Sequence, residues 1–327
     1  MITLADIEAA RDRLTGHVLM TPLVPAVALS EALGASISLK LEHYQTTGSF
    51  KLRGATNAML RLSDEERQRG VVTASTGNHG RALSAAASAA GARATICISN
   101  LVPENKVAEI RRLGATVHIV GQSQDDAWLE AVRLAEQDGL VIIPPFDHRD
   151  VIAGQGTIGL EIVAAQPDVG TVLVPLSGGG LAAGVAAAVK ALRPQARIIG
   201  VSMENGAAMK ASLDAGHPVA VGEFPSLADS LGGGIGLDNQ LTFQMCRDLL
   251  DDVVLLTEAE IAAGVRHAYQ CQREVVEGAG AVGIAALLAG KITDLGRPIA
   301  VILSGRNIDM ALHYRLAGGA DGLLGEE

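Results

Sequence analysis

Short β-branched runs alternate with alanine-rich stretches of helical period along most of this chain, and no other feature restricts its fold so much. Strand-like runs at residues 71–73, 94–98, 116–120 and 141–143 are separated by helical patterns at 80–90, 106–113 and 125–137. A second series follows, with strand-like runs at 171–174, 197–201 and 299–303 and a helical pattern at 181–192. Strands joined through helices need crossover connections, which give parallel sheets covered by helices on both faces. The reading is therefore α/β, with two such sheets. No Pro/Gly/Ser linker divides the series, so the chain is expected to cross between two lobes near residues 48–70 and again near 145–155. Ligands of open parallel sheets bind beyond the carboxyl ends of the strands, so the glycine-rich turns after those strands are where chemistry is expected.

Composition narrows the class further. The net charge is -10, with no dense basic tract, so a nucleic-acid partner is not expected. The three cysteines, Cys97, Cys246 and Cys271, form no C-x-x-C pair, which suits a reducing cytoplasm and excludes a thiolate zinc site. Asp6, Glu8, Arg11, Asp12 and Arg13 interrupt the amino-terminal apolar residues, so no signal peptide is expected, and Thr3 reads as a helix cap. Later apolar stretches are broken by glycine, too short or too alanine-rich to span a membrane. With 2% aromatics and 38 glycines, core volume must come from Ala, Val, Leu and Ile.

Four segments carry candidate chemistry. Thr47-Gly48-Ser49-Phe50-Lys51-Leu52-Arg53-Gly54 places a lysine after an aromatic residue at the start of a helical pattern; alone, it would read as a solvated surface charge. Ser75-Thr76-Gly77-Asn78-His79-Gly80 lies between a strand and an alanine-rich helix, where unpaired N–H groups can receive an anion such as a substrate carboxylate, or simply be capped by Ser75 or Thr76. Ser177-Gly178-Gly179-Gly180-Leu181 repeats that placement, and its three glycines let the backbone approach a phosphate. It has neither Walker nor G-x-G-x-x-G spacing. Ser304-Gly305-Arg306-Asn307 ends the last strand, with the Ser304 hydroxyl at its carboxyl end.

In this order and across most of the chain, the four segments resemble the serine/threonine dehydratase family of fold-type II pyridoxal 5′-phosphate (PLP) enzymes, a tryptophan synthase β-like fold. Val151-Ile152-Ala153-Gly154-Gln155-Gly156-Thr157 and Val276-Glu277-Gly278-Ala279-Gly280 extend the likeness. More narrowly, the whole sequence is similar to dehydratases assigned to hydroxyectoine utilisation. The resemblance implies two lobes, each with a mostly parallel twisted sheet flanked by helices: a large PLP-binding domain of residues 1–48 and 146–327, and a small domain of residues 49–145. It implies that Lys51 bonds the cofactor and then acts as base, that Phe50 packs on the ring, and that Asn78 bonds the ring's 3′-oxygen. Ser177, Gly178, Gly179, Gly180 and Leu181 would cradle the phosphate, Ser304 would face the ring nitrogen, and Glu277 would lie near the cofactor. Ser75, Thr76, Gly77, Asn78 and His79 would take the substrate carboxylate.

A neutral serine opposite the ring nitrogen favours elimination over transamination, so the expected reaction is dehydration and deamination of a β-hydroxy amino acid to a 2-oxo acid and ammonia. Threonine, serine, 3-hydroxyaspartate and a hydroxylated diamino acid all remain open as substrates. Related racemases carry serine where this chain has Thr76, which makes racemisation the lesser expectation. Acidic ligands for a divalent cation are missing at Ser202 and Ala208, so no obligatory metal is expected there. Relatives are commonly homodimers or homotetramers, and the short tail after Ser304 leaves no regulatory domain to expect. A non-catalytic phosphate-ligand binding module would need Gly178 to Gly180 but not Lys51, and a nicotinamide oxidoreductase lacks the glycine spacing. Asp147, His148, Arg149, Asp150 and Arg306 bring charge near the expected site, either as internal loop pairs or as readers of a polar substrate tail.

Overall fold

Ten strands form two sheets in the computed structural model, which describes residues 1–75, 77–102 and 104–323. They are β1 (Leu23–Pro25), β2 (Ile37–Lys40), β3 (Val71–Ala74), β4 (Ala94–Ile98), β5 (Thr116–Ile119), β6 (Val141–Ile142), β7 (Thr171–Pro175), β8 (Arg197–Met203), β9 (Asp252–Leu256) and β10 (Ile299–Ile302). The larger sheet runs β1-β2-β10-β7-β8-β9, parallel throughout except for the antiparallel edge strand β1. The smaller sheet, β5-β4-β3-β6, is wholly parallel. This is the expected α/β architecture.

Period-two alternation divides the strands between helical layers. In β10, Ile299 and Val301 face one core while Ala300 and Ile302 face the other. Leu173 of β7 joins the first core and Val172 and Val174 the second. Every residue of β7 and β10 is buried, as strands covered on both faces require. The smaller sheet divides likewise, with Ile96 and Ile98 on one side and Cys97 on the other. At the amino terminus, Thr3 caps the helix Leu4–Leu14 in a reciprocal capping box with Asp6.

Three helices meet through bare backbone. A Cβ on Gly154 would stand 2.7 Å from Gly54 Cα, and one on Gly184 would stand 2.7 Å from Gly156 N. The helix Arg149–Ala165 is thereby pressed against both Lys51–Arg61 and Gly180–Leu192. These two neighbours begin at the candidate lysine and at the glycine-rich turn. The smaller sheet lies within the residues expected of the small lobe, but the helix Lys51–Arg61 packs closely on a helix of the other.

Candidate active site

The carboxyl ends of strands from both sheets converge. Ser75 follows β3, Ser177 follows β7 by two residues and Ser304 follows β10 by two. Main-chain bonds join the first and last candidate segments: Phe50 N donates to Ser304 O at 3.0 Å, and Arg306 N donates to Gly48 O at 2.9 Å. Lys51 opens its helix beside this seam, with Phe50 half-buried before it. The lysine Nζ donates to Pro145 O at 2.6 Å and lies 5.4 Å from the centre of the Phe50 ring. Although the residue keeps some solvent access, its amine is deep enough that burial draws its pKa down to about 8.

In the turn after β7, Gly179 has φ +88° and caps the thirteen-residue helix Gly180–Leu192. Among the described residues, the N–H groups of Gly178, Gly179, Gly180 and Leu181 have no hydrogen-bond partner. A helix amino terminus with open donors is the surface a phosphate needs. The glycines are also sterically required, since a Cβ on Gly178 would run into the Phe146 ring and one on Gly180 would stand 3.0 Å from Phe146 Cα. Phe146 belongs to a short strap whose Pro145 accepts from Lys51. Its Asp147 takes bonds from the backbone N–H of Gln240, Leu241 and Thr242 at 2.6, 2.9 and 2.8 Å. These donors and this lack of side-chain bulk fit a phosphorylated cofactor held between Lys51 and the glycine turn.

A third group of polar residues spans the cleft. Asn78 Nδ2 donates to Glu277 Oε1 at 2.7 Å, and Asn307 N donates to Glu277 Oε2 at 3.1 Å. Glu277 and Ser304 are both buried, and the Ser304 hydroxyl donates weakly to Ala279 O at 3.4 Å. Burial first, and the charge of Asp229 second, raise the Glu277 carboxyl to about 7. Between its ordinary 4.5 and this value the folded chain holds a proton that the unfolded chain has released. The resulting stability is complete below the ordinary pKa and is lost as pH rises through about 7. Glu277→Gln removes that titration, so thermal melts of cofactor-free protein should lose roughly 3 kcal/mol less than wild type between about pH 5 and 8. Parallel pH profiles for the two proteins would assign the shift to another group.

The expected carboxylate turn is only partly as anticipated. Ser75 Oγ accepts from Gly80 N at 3.2 Å, so the plain capping function is present. Gly77 is half-buried beside it, and Thr76 lies outside the described residues. His79 is buried, with Nε2 bonded to Ile143 O at 2.8 Å. A carbonyl can only accept, so Nε2 carries the proton. Burial and the nearby Lys51 charge lower the pKa to about 3, keeping the ring neutral. The imidazole thus braces the turn from behind.

Sequence reasoning missed a buried ionic cluster behind Lys51. Arg53 Nε and Nη2 each donate to Glu42 at 2.8 Å, and Nη1 and Nη2 donate to Glu161 at 2.6 and 2.9 Å. Lys40 joins through Glu161 and the Thr21 carbonyl. Burial alone would raise Glu42, but the two-pronged Arg53 contact outweighs it and holds the carboxyl below its ordinary range. The loop charges also pair differently from the simple expectation. Arg149 reaches Asp6, Asp150 pairs with Arg61, and His148 Nδ1 accepts from Asp150 N. Arg306 is exposed at the rim near His43 and Tyr44, both bonded to Glu274.

Comparison with known proteins identifies a family for the chain. Residues 14–305 match the family described as pyridoxal-phosphate dependent enzyme. The chain is 68% identical over 318 residues to a Sinorhizobium fredii protein named "Putative threonine dehydratase", covering 97% of this chain and 96% of that protein. It is 43% identical to the L-threonine ammonia-lyase of Thermotoga maritima, over 97% of this chain and 78% of the relative. Among solved structures, maize serine racemase superposes with a TM-score of 0.91 at 32% identity, covering 96% of each chain.

Proposed function

This chain belongs to the pyridoxal-phosphate dependent enzyme family, and from that premise we propose that it dehydrates and deaminates a β-hydroxy amino acid, releasing a 2-oxo acid and ammonia. The observation that carries the reading is the buried Lys51 amine bonded to Pro145 O, whose neighbour Phe146 packs on a helix terminus with open N–H donors. PLP supplies an electron sink joined to the substrate amine, which makes the Cα–H bond acidic. Lys51 would hold the cofactor, and its Nζ, with a pKa near 8, is neutral often enough at physiological pH to take the Cα proton. Phe50 would flank the cofactor ring, Asn78 would donate to its 3′-oxygen, and Ser304 would face its nitrogen. The backbone from Ser177 to Leu181 would hold the phosphate. Glu277 supports Asn78, and the turn of Ser75, Gly77, Asn78 and His79 orients the substrate carboxylate.

The finer assignment is to threonine-like substrates, including a hydroxy amino acid derived from hydroxyectoine. For threonine-like substrates its support is the names of two relatives, "Putative threonine dehydratase" and "L-threonine ammonia-lyase"; for the hydroxyectoine-derived substrate it is the resemblance drawn from the sequence. Arg306 gives the rim a bias toward polar tails, because guanidinium pairs bidentately with carboxylates. An assay of ammonia and 2-oxo acid across threonine, serine, 3-hydroxyaspartate and hydroxylated diamino acids tests the reaction. Chiral analysis of remaining substrate separates elimination from racemisation, and a panel yielding only the opposite enantiomer would sink the lyase reading. Arg306→Ala should lower kcat/KM for 3-hydroxyaspartate about ten- to hundredfold more than for threonine. Equal losses on both substrates would instead assign Arg306 to folding or cofactor placement.

A further inference from the structure

Among the described residues, Asn307 makes four hydrogen bonds that leave its side-chain amide no freedom of direction. Its Oδ1 accepts from Arg81 Nη1 at 3.0 Å, while its Nδ2 donates to Thr47 O at 2.9 Å and to Asn78 Oδ1 at 2.5 Å. Its backbone N–H goes to Glu277 Oε2. Arginine can only donate and a carbonyl can only accept, so each end of the Asn307 amide is dictated by a partner that cannot exchange roles. The assignment therefore passes to the next side chain. Asn78 must present Oδ1 to Asn307 and turn Nδ2 toward Glu277 and the cleft. One Nδ2 hydrogen is used by Glu277 at 2.7 Å, and among the described residues the other meets only Ser230 Oγ at 3.4 Å.

We propose that Asn307 is a positioning residue that fixes which end of the Asn78 amide is the donor, so that an NH₂ group faces the ring oxygen of the cofactor. The proposal rests on the cofactor reading of the site given above, but not on the identity of the substrate. Gly48 makes the placement possible: it has φ +79°, and a Cβ there would stand 2.5 Å from Asn307 Oδ1. Arg81 and Asn78 lie on the helix Asn78–Ala89 after the smaller sheet, whereas Thr47, Glu277 and Asn307 surround the last strand of the larger one. The direction of a single donor is thus set by groups on both sides of the cleft.

Two variants test this. Asn307→Asp can only accept, which forces Asn78 to turn its NH₂ away from the cofactor, and Asn307→Leu removes the directing donor without adding charge. The cofactor dissociation constant and visible absorption band are measured by PLP titration before any substrate is added, followed by kcat and KM on the loaded enzyme. Both variants should bind PLP about tenfold more weakly and shift the band, with kcat reduced and KM within about twofold of wild type. Wild-type affinity and band position in both variants would overturn the proposal. So would an effect confined to Asn307→Asp, which would mark it as one of charge, or weakened binding with an unmoved band, which would mark Asn307 as merely structural. Because affinity and spectrum are read without substrate, they stand even if the substrate panel refutes the lyase reading.

Discussion

Replacing Lys51 by alanine is expected to lower kcat by roughly 10²–10⁴-fold while leaving part of the phosphate-dependent cofactor binding intact. The two functions separate because they occupy different elements. The amine stands at the start of the helix Lys51–Arg61, whereas the open N–H groups belong to the turn before Gly180–Leu192. Alanine removes the group that bonds to Pro145 O and carries the lowered pKa, but it leaves the glycine turn and the Phe146 strap unchanged. Borohydride reduction and peptide mapping of wild-type protein should place the pyridoxyl label on Lys51. A label on another lysine, or wild-type turnover by the variant without added amine, would end this assignment.

Arg53→Ala is expected to destabilise the fold by about 3–5 kcal/mol. Glu42 is completely buried, Lys40 is 1% exposed and the Glu161 side chain 15%. Among the described residues, removing the guanidinium leaves Glu42 without its only charged hydrogen-bond donor and Glu161 with Lys40 alone. Solvent cannot screen what remains. Denaturant titration measures the loss, and a change below about 1 kcal/mol would mean that the cluster relaxes around the gap. The variant should also lose activity beyond its loss of folded protein, because Arg53 lies two residues from Lys51 on the same helix.

The repeated strands and the four polar turns were legible because local pattern encodes both. Val71, Thr171 and Ile299 begin apolar runs bounded by turn residues, and the corresponding strands lie in the sheets. The edge strands β1 and β9, and β2 beside the last strand, were not read. β1 has three residues including Pro25, while β2 ends in Lys40, whose buried charge has the wrong polarity for a strand core. Arg53 and Glu42 likewise look like surface charges, since nothing local reveals a partner as distant as Glu161. At the site, Lys51 and the triple glycine stand out by residue type, but Asn307 does not. Its importance comes from four partners spread between Thr47 and Glu277, and such convergence exists only in three dimensions. His79, expected in the turn, lies in the first turn of the helix Asn78–Ala89, and the direction of its ring toward Ile143 could not be read from sequence.

The glycine contacts around the helix Arg149–Ala165 have a consequence for how this catalyst can diversify. Gly54 against Gly154 and Gly156 against Gly184 join the lysine helix to the helix after the glycine turn through a common neighbour, with no side chain between to act as an adjustable spacer. On the proposed cofactor reading, the span between amine and glycine turn is therefore a fixed gauge, set by backbone contact and not by the substrate. Adding a methyl group at Gly54, Gly154 or Gly184 would bring it within 2.8 Å of the facing helix's backbone and force the helices apart. New substrate preferences must then arise at the rim, where Ser230 and Arg306 are exposed and can change without resetting the gauge.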